Sequence, residues 1–393
     1  MALLDLREPK MNLKILLVLS FGHLVTDIYQ GALPAILPFL KARLSLSYAM
    51  AGVILMAANF TSSIMQPLFG YLSDQKEKLI LLPLGCLAAG LGLALLPVPS
   101  HYVVILLLVM VSGLGVAAYH PEGYKTAHFF TGKNLATGMS VFTVGGNLGF
   151  ALGPMIALTI VTRLGFEVLP VIFIFSLLFL SLFLVHWTSI GTVKPGRAEA
   201  GTSAGETGRN AYLPLFLIIG TVVMRSWTQM GLMTYIPFYY IDYLKGDPMY
   251  SGKLISTFLL GGVAGTVLGS ILADRWGHKP LLVGSLLLTS LLIPLILVVR
   301  GPALFAVLAV IGLALISSFT ITIVMAQRLL PQNLGIASGL MVGFAIGMGG
   351  LGVTLLGIVA DHFGIPLALK AIMILPLIGL GLSLLIRYPE ARR

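Results

Sequence analysis

Three groups of residues in this sequence could move a proton or hold an anion, and all lie in apolar surroundings. His23 and Asp27 stand four apart in Gly22-His23-Leu-Val-Thr-Asp27, and His120, Pro121 and Glu122 are consecutive. Arg225 and Gln229 again stand four apart. Four-residue spacing sets two side chains on one helix face. An imidazole beside a carboxylate can exchange a proton, and a guanidinium can grip a carboxylate or phosphonate. Charged groups in hydrocarbon are costly unless they are paired, protonated or wet. Asp27 and Glu122 are therefore the candidate proton carriers, with His23 and His120 as relays. Arg225, Gln229, Asp27 and Tyr119 are the candidate substrate contacts.

The sequence offers little for other chemistry. It contains no H-E-x-x-H and no phosphate loop of the form G-x-x-x-x-G-K-[ST], and its one G-x-S-x-G, Gly201 to Gly205, falls in a linker outside the apolar runs. An intramembrane enzyme would need a nucleophile–base pair or a metal triad, and neither pattern is present within the apolar spans. His120, Glu122 and His128 lack zinc-site spacing, and the single cysteine, Cys86, permits no disulfide framework. No metal or cofactor is expected. Energy for any work must come from an ion gradient, with the proton as the coupling ion.

The elements that position these residues are membrane helices. Of 393 residues, 58% are hydrophobic and 10% charged, against about 25% charged in a soluble domain. Apolar runs of about 20 residues can span only as helices. Twelve spans are predicted: 14–40, 47–71, 78–97, 102–130, 134–162, 167–188, 211–241, 250–273, 279–299, 302–329, 333–360 and 366–387. The start of the chain carries Asp5 and Glu8 and reads as a flank of the first span, not a cleavable signal. An even span count puts both termini on one side. With that side cytoplasmic, sixteen of the 24 basic residues fall inside and seven outside, with Arg225 within a span. This asymmetry follows the positive-inside rule, so the net charge of +10 reflects membrane orientation and not nucleic-acid binding.

The chain divides into halves. Ser189 to Asn210 contains Lys-Pro-Gly and Gly-Thr-Ser-Ala-Gly-Glu, a linker composition. The predicted domains are an N-terminal six-helix bundle (1–188), a cytoplasmic linker (189–210) and a C-terminal six-helix bundle (211–393). The halves repeat. Gly70-Tyr-Leu-Ser-Asp74 closes span two, and Ser270-Ile-Leu-Ala-Asp274-Arg275-Trp-Gly277-His-Lys279 closes span eight. Lys133-Asn134-Leu135 and Gln332-Asn333-Leu334 open spans five and eleven. Two parallel six-helix repeats are a transporter architecture.

The loop motif at Asp274–Lys279 resembles that of the major facilitator superfamily, and its first copy, Gly70–Lys78, is degenerate. Span five carries Gly145-x-x-x-Gly149-x-x-x-Gly153-Pro154, a smooth face for helix packing. In this superfamily such a run is typical of drug:proton antiporters. Together with Gly22-His23-Leu-Val-Thr-Asp27, His120-Pro121-Glu122 and the glycine-rich span eleven (Gly339 to Gly357), the whole chain is similar to the fosmidomycin-resistance group of bacterial efflux proteins. The span-four R-x-x-Q-G motif of many superfamily antiporters is missing; Ser112-Gly-Leu-Gly stands near that place.

The resemblance implies an all-α major facilitator fold of two pseudo-symmetric bundles in the cell (inner) membrane, working by alternating access as a monomer. It implies export of a small, anionic, fosmidomycin-like compound in exchange for protons; symport or uniport of a metabolite is the alternative. Asp74, Asp274, Arg275 and Lys279 would gate, and spans one, four, seven and ten would line the cavity. At ~1.5 Å per residue, His23 lies ~14 Å and Asp27 ~20 Å deep, with Glu122 at ~12 Å, His120 at ~15 Å and Arg225 at ~21 Å. These depths predict one polar cavity wall. Pro121 is expected to kink span four and angle Glu122 inward. If span four ended at Tyr119, however, His120 and Glu122 would be interfacial.

Overall fold

The computed structural model describes residues 11–46, 48–75, 79–191, 212–245, 248–345 and 347–388. Nearly all of the predicted linker, and residues 76–78 of the first loop motif, lie outside the described residues. Among the described residues all regular structure is helical, and the chain separates into two compact units. Unit 1 is 1–199 with 334–336; unit 2 is 200–333 with 337–393.

Unit 1 contains α1 (Leu13–Leu44), α2 (Tyr48–Gln75), α3 (Leu81–Ala94), α4 (Tyr102–His128) and α5 (Leu135–Leu164). A 3₁₀ segment (Phe166–Phe173) leads into α6 (Ile174–Val185), and the short α7 (Trp187–Gly191) follows. Unit 2 contains α8 (Tyr212–Phe238), which ends in a π-turn at Tyr239–Tyr243, then α9 (Pro248–Trp276), α10 (His278–Leu292) and α11 (Leu295–Val298). Next come α12 (Pro302–Ser317), α13 (Phe319–Leu329) and α14 (Leu334–Ser338), the last with its residues 334–336 in unit 1. A π stretch at Gly339–Ala345, α15 (Gly349–Phe363) and α16 (Ile365–Leu385) complete it.

Among the described residues, eleven helical stretches are long and apolar enough to cross a membrane. The predicted third span is represented by α3, which has only 14 residues. Hydrogen-bonded turns extend it, from Leu82 N–H to Leu79 O at one end and from Val98 N–H to Leu95 O at the other. The outer faces are apolar as well. Met56, Phe60, Ile64 and Leu68 form an i, i+4 stripe on α2 and are each about half exposed or more, a face suited to lipid.

Helix pairing follows the small residues. In unit 1, α1 and α5 pair most closely. A Cβ on Gly145, Gly149 or Gly153 would collide with the backbone carbonyls of Ser20, Leu24 and Ile28 respectively. The three glycines thus face three α1 positions four residues apart, and the helices approach to backbone contact. The Pro154 side chain lies outside the described residues.

Unit 2 builds its tight seam elsewhere. A Cβ on Gly261 or Gly265 of α9 would strike the carbonyls of Ala309 and Leu313 on α12. The glycine-rich eleventh segment admits large side chains from α8. Trp227 Nε1 donates to Met348 O at 2.8 Å, and the Tyr235 hydroxyl donates to Val353 O at 2.9 Å. The π geometry at Gly339–Ala345 accompanies this irregular packing. The tenth predicted span divides at Ser318. There Ser317 and Ser318 donate their hydroxyls back to Ala314 O and Leu315 O, which bends a helix.

Candidate functional site

The α1–α5 seam places the polar centre of unit 1. His23 and Asp27 face α5 and α4 from one side of α1, and His120 approaches from α4. His120 Nε2 lies 2.9 Å from Asp27 Oδ1, and His23 Nε2 lies 3.4 Å from Asp27 Oδ2. His23 Nδ1 is 2.9 Å from the Phe142 carbonyl, and the two rings stack at 4.3 Å. All three polar residues are buried, at 3%, 8% and 5% exposure for His23, Asp27 and His120. Gly146 closes the remaining side, since a Cβ there would strike His23 and Asp27.

The hydrogen-bond partners fix the tautomers. A carbonyl only accepts, so His23 Nδ1 carries hydrogen and a neutral His23 turns its Nε2 lone pair toward Asp27. Two acceptors facing each other across 3.4 Å leave a place for one proton between them. His120 Nε2–H donates to the other carboxylate oxygen. Asp27 therefore sits between one imidazole that donates and one that can share an added proton.

The ligand atoms of His23, Asp27 and His120 all lie within 4.8 Å of one another, a set that sequence spacing does not reveal. They could surround a divalent ion only by giving up the direct His120–Asp27 hydrogen bond.

Glu122 does not join this centre. It belongs to a second cluster on the opposite side of α4. Ser73 Oγ donates to Glu122 Oε2, and Thr126 Oγ1 donates to Oε1 at 3.2 Å. Lys125 Nζ donates to Ser73 O at 2.5 Å and lies 3.8 Å from Asp74 Oδ1. Residues two apart on a helix point to different faces, so His120 and Glu122 share a depth but not a wall. α4 continues through Pro121 to His128, with His120–Tyr124 buried. The proline therefore neither ends the helix nor turns Glu122 toward His120.

Tyr119 is fully buried, and its hydroxyl donates to Leu19 O at 2.7 Å. It braces α4 against α1, a packing role in place of the expected cavity contact. Asp74 accepts the N–H groups of Gly335 and Ile336, both at 2.9 Å; these residues cluster with unit 1.

In unit 2, Arg225 is 3% exposed on α8, with its guanidinium carbon 5.1 Å from the Phe319 ring centroid. That is cation–π range. Gln229, one turn on, is half-buried. Asp274 is half-buried, Arg275 is exposed, and Lys279 Nζ donates to Leu384 O at 3.0 Å. Sequence reasoning missed Phe142, Ser73, Thr126 and Phe319. Thr126 stands four residues from Glu122 on the same helix, a spacing that could have marked it; Phe142, Ser73 and Phe319 gain their roles from the helix opposite.

The sequence profile described as Major Facilitator Superfamily matches residues 19–341 and 219–393. The chain belongs to the major facilitator superfamily and is a multi-pass membrane transporter. It is 34% identical over 373 residues to the uncharacterized MFS-type transporter YfnC of Bacillus subtilis (strain 168), covering 93% of this chain and 91% of the relative. It is 32% identical over 383 residues to the fosmidomycin resistance protein of Escherichia coli (strain K12), covering 95% and 93%. Among solved structures it superposes on the E. coli fucose:proton symporter FucP with a TM-score of 0.70 at 14% identity, covering 94% of this chain and 98% of that one. For the proton:xylose symporter XylE the TM-score is 0.69 at 15% identity, covering 96% of both. At these identities the two symporters share the fold.

Proposed function

We propose that the protein is a proton-coupled antiporter of the cell (inner) membrane that exports a small anionic compound by alternating access. The observation that carries the reading is the buried His23–Asp27–His120 cluster. It joins one carboxylate to two imidazoles and has a place for one exchangeable proton between His23 and Asp27. Desolvation makes the charged carboxylate costly unless it is compensated, so cargo binding and proton loss can be linked at one group. Of the two candidate carriers, this geometry favours Asp27. Glu122, bound to Ser73 and Thr126 beside Lys125, serves the Asp74 gate region instead.

Arg225, held against Phe319, provides the cation for an anionic cargo, with Gln229 as a polar neighbour. The E. coli relative's name supports export of a fosmidomycin-like phosphonate. Asp74, Asp274, Arg275 and Lys279 act at the ends of helices, where charge and helix-end contacts can hold or release a closed state. The working unit is a monomer that draws on the proton gradient.

The test is transport in proteoliposomes under an imposed pH gradient, with phosphonates and neutral drugs as cargo. Antiport predicts that the cargo accumulates on the acidic side. Accumulation on the alkaline side identifies symport, and insensitivity to the gradient identifies uniport.

A further inference from the structure

Unit 2 holds a second polar cluster, around the start of α10, in which the transport reading uses Lys279 and Asp274 but not His278 or Arg387. α10 starts at His278, directly after Gly277, whose φ of +101° turns the chain, and no side chain caps the helix. The N-terminus of this 15-residue helix presents unpaired N–H groups and positive potential. Beside it, α16 ends and Ile386 adopts extended backbone. Lys279, Leu384, Leu385, Ile386, Arg387 and Tyr388 then line a groove of about 650 Å³.

Two features of the start of α10 stand next to this groove. His278 is 5% exposed, its ring stands edge-on to Tyr388 at 6.1 Å, and its Nε2 has no hydrogen-bond partner. A buried ring nitrogen left unsatisfied is unusual in a native fold. Lys279 spends one N–H on Leu384 O, while an ammonium carries three. Arg387 is exposed at the rim. Arg328 and Asp274 also act on His278 electrostatically.

The wall of the groove decides which anion fits. Leu384 and Leu385 are 56% and 66% exposed on a helix with an apolar outer face. A soluble anion would leave them uncovered, whereas an acyl chain would lie along them. The basic-residue asymmetry places this end of the helices in the cytoplasmic leaflet, where anionic lipids attract Lys and Arg. We propose that the groove binds the phosphate headgroup of an anionic phospholipid. Lys279 and Arg387 hold the phosphate at the start of α10, and the acyl chain covers Leu384 and Leu385. The lipid thereby ties the end of α16 to the start of α10. The inference is independent of the proton-coupling reading.

The experiment is native mass spectrometry of the delipidated full chain in detergent, titrated with phosphatidylglycerol, phosphatidylcholine or inorganic phosphate. Phosphatidylglycerol should bind saturably, and Lys279→Ala and Arg387→Ala should each weaken it about five-fold. Lys370→Ala, an exposed cation elsewhere on unit 2, should not. Lys279→Arg should retain binding. Arg387 follows the last helix, so its variant keeps the test valid if Lys279→Ala folds poorly. Equal affinity for phosphatidylcholine, or phosphatidylglycerol binding unchanged in both alanine variants, overturns the site. Inorganic phosphate binding as tightly as the lipid overturns the lipid assignment.

Discussion

Replacing Asp27 by Asn tests the proton site with the least disturbance to the fold. The amide oxygen can still accept from His120 Nε2–H, and the amide NH₂ can donate to His23 Nε2, so both contacts at 2.9 and 3.4 Å survive. Alanine would instead leave two buried imidazole nitrogens without partners, at about 1–3 kcal/mol each, and would confuse unfolding with uncoupling. What Asp27→Asn removes is the exchangeable proton. The cluster has one such place, and one pH unit is worth about 1.4 kcal/mol to one proton. A gradient of two units can therefore support at most about 100-fold accumulation of a cargo exchanged for one proton. In proteoliposomes the Asp27→Asn variant should equilibrate cargo to about 1-fold while retaining downhill exchange. The assay is accumulation of labelled cargo with the membrane potential clamped at zero, with thermal unfolding in detergent as the folding control. A folded Asp27→Asn variant that still accumulates cargo against its gradient would refute Asp27 as the carrier.

The remaining predictions probe separate parts of the structure. Glu122→Gln should keep gradient-driven accumulation, because Glu122 sits with Ser73 and Thr126; loss of accumulation with normal downhill exchange would return the carrier role to it. Gly149→Ala should destabilise unit 1 by about 1–3 kcal/mol through overpacking against Leu24 O, read as lowered thermal stability, whereas Gly350→Ala, where a Cβ meets nothing within 4 Å, should be silent. Arg225→Lys should weaken binding of an anionic cargo at least about ten-fold by losing the bidentate fork and the Phe319 contact; isothermal titration giving unchanged affinity would remove the anion role. Trp227→Phe should cost about 1 kcal/mol through the lost bond to Met348 O, with chemical denaturation as the readout.

Several features were legible in the sequence because they rest on local composition. Apolar runs, repeated loop motifs and basic-residue asymmetry identified a helical transporter of two halves. The four-residue spacing of His23 and Asp27 fixed their common face, and the spacing of Gly145, Gly149 and Gly153 fixed a smooth one. The partners of those faces required the tertiary structure. Depth along a helix follows from residue number, but facing depends on rotation about the axis relative to neighbouring helices. His120 and Glu122 show the difference: two residues apart and nearly level, they turn to α1 and α2 respectively. Only packing showed that the glycine face of α5 meets the α1 backbone, that Phe142 O sets the His23 tautomer, and that Lys279 and Arg387 share a groove. Each of these contacts joins residues far apart in the chain, and no local spacing encodes them.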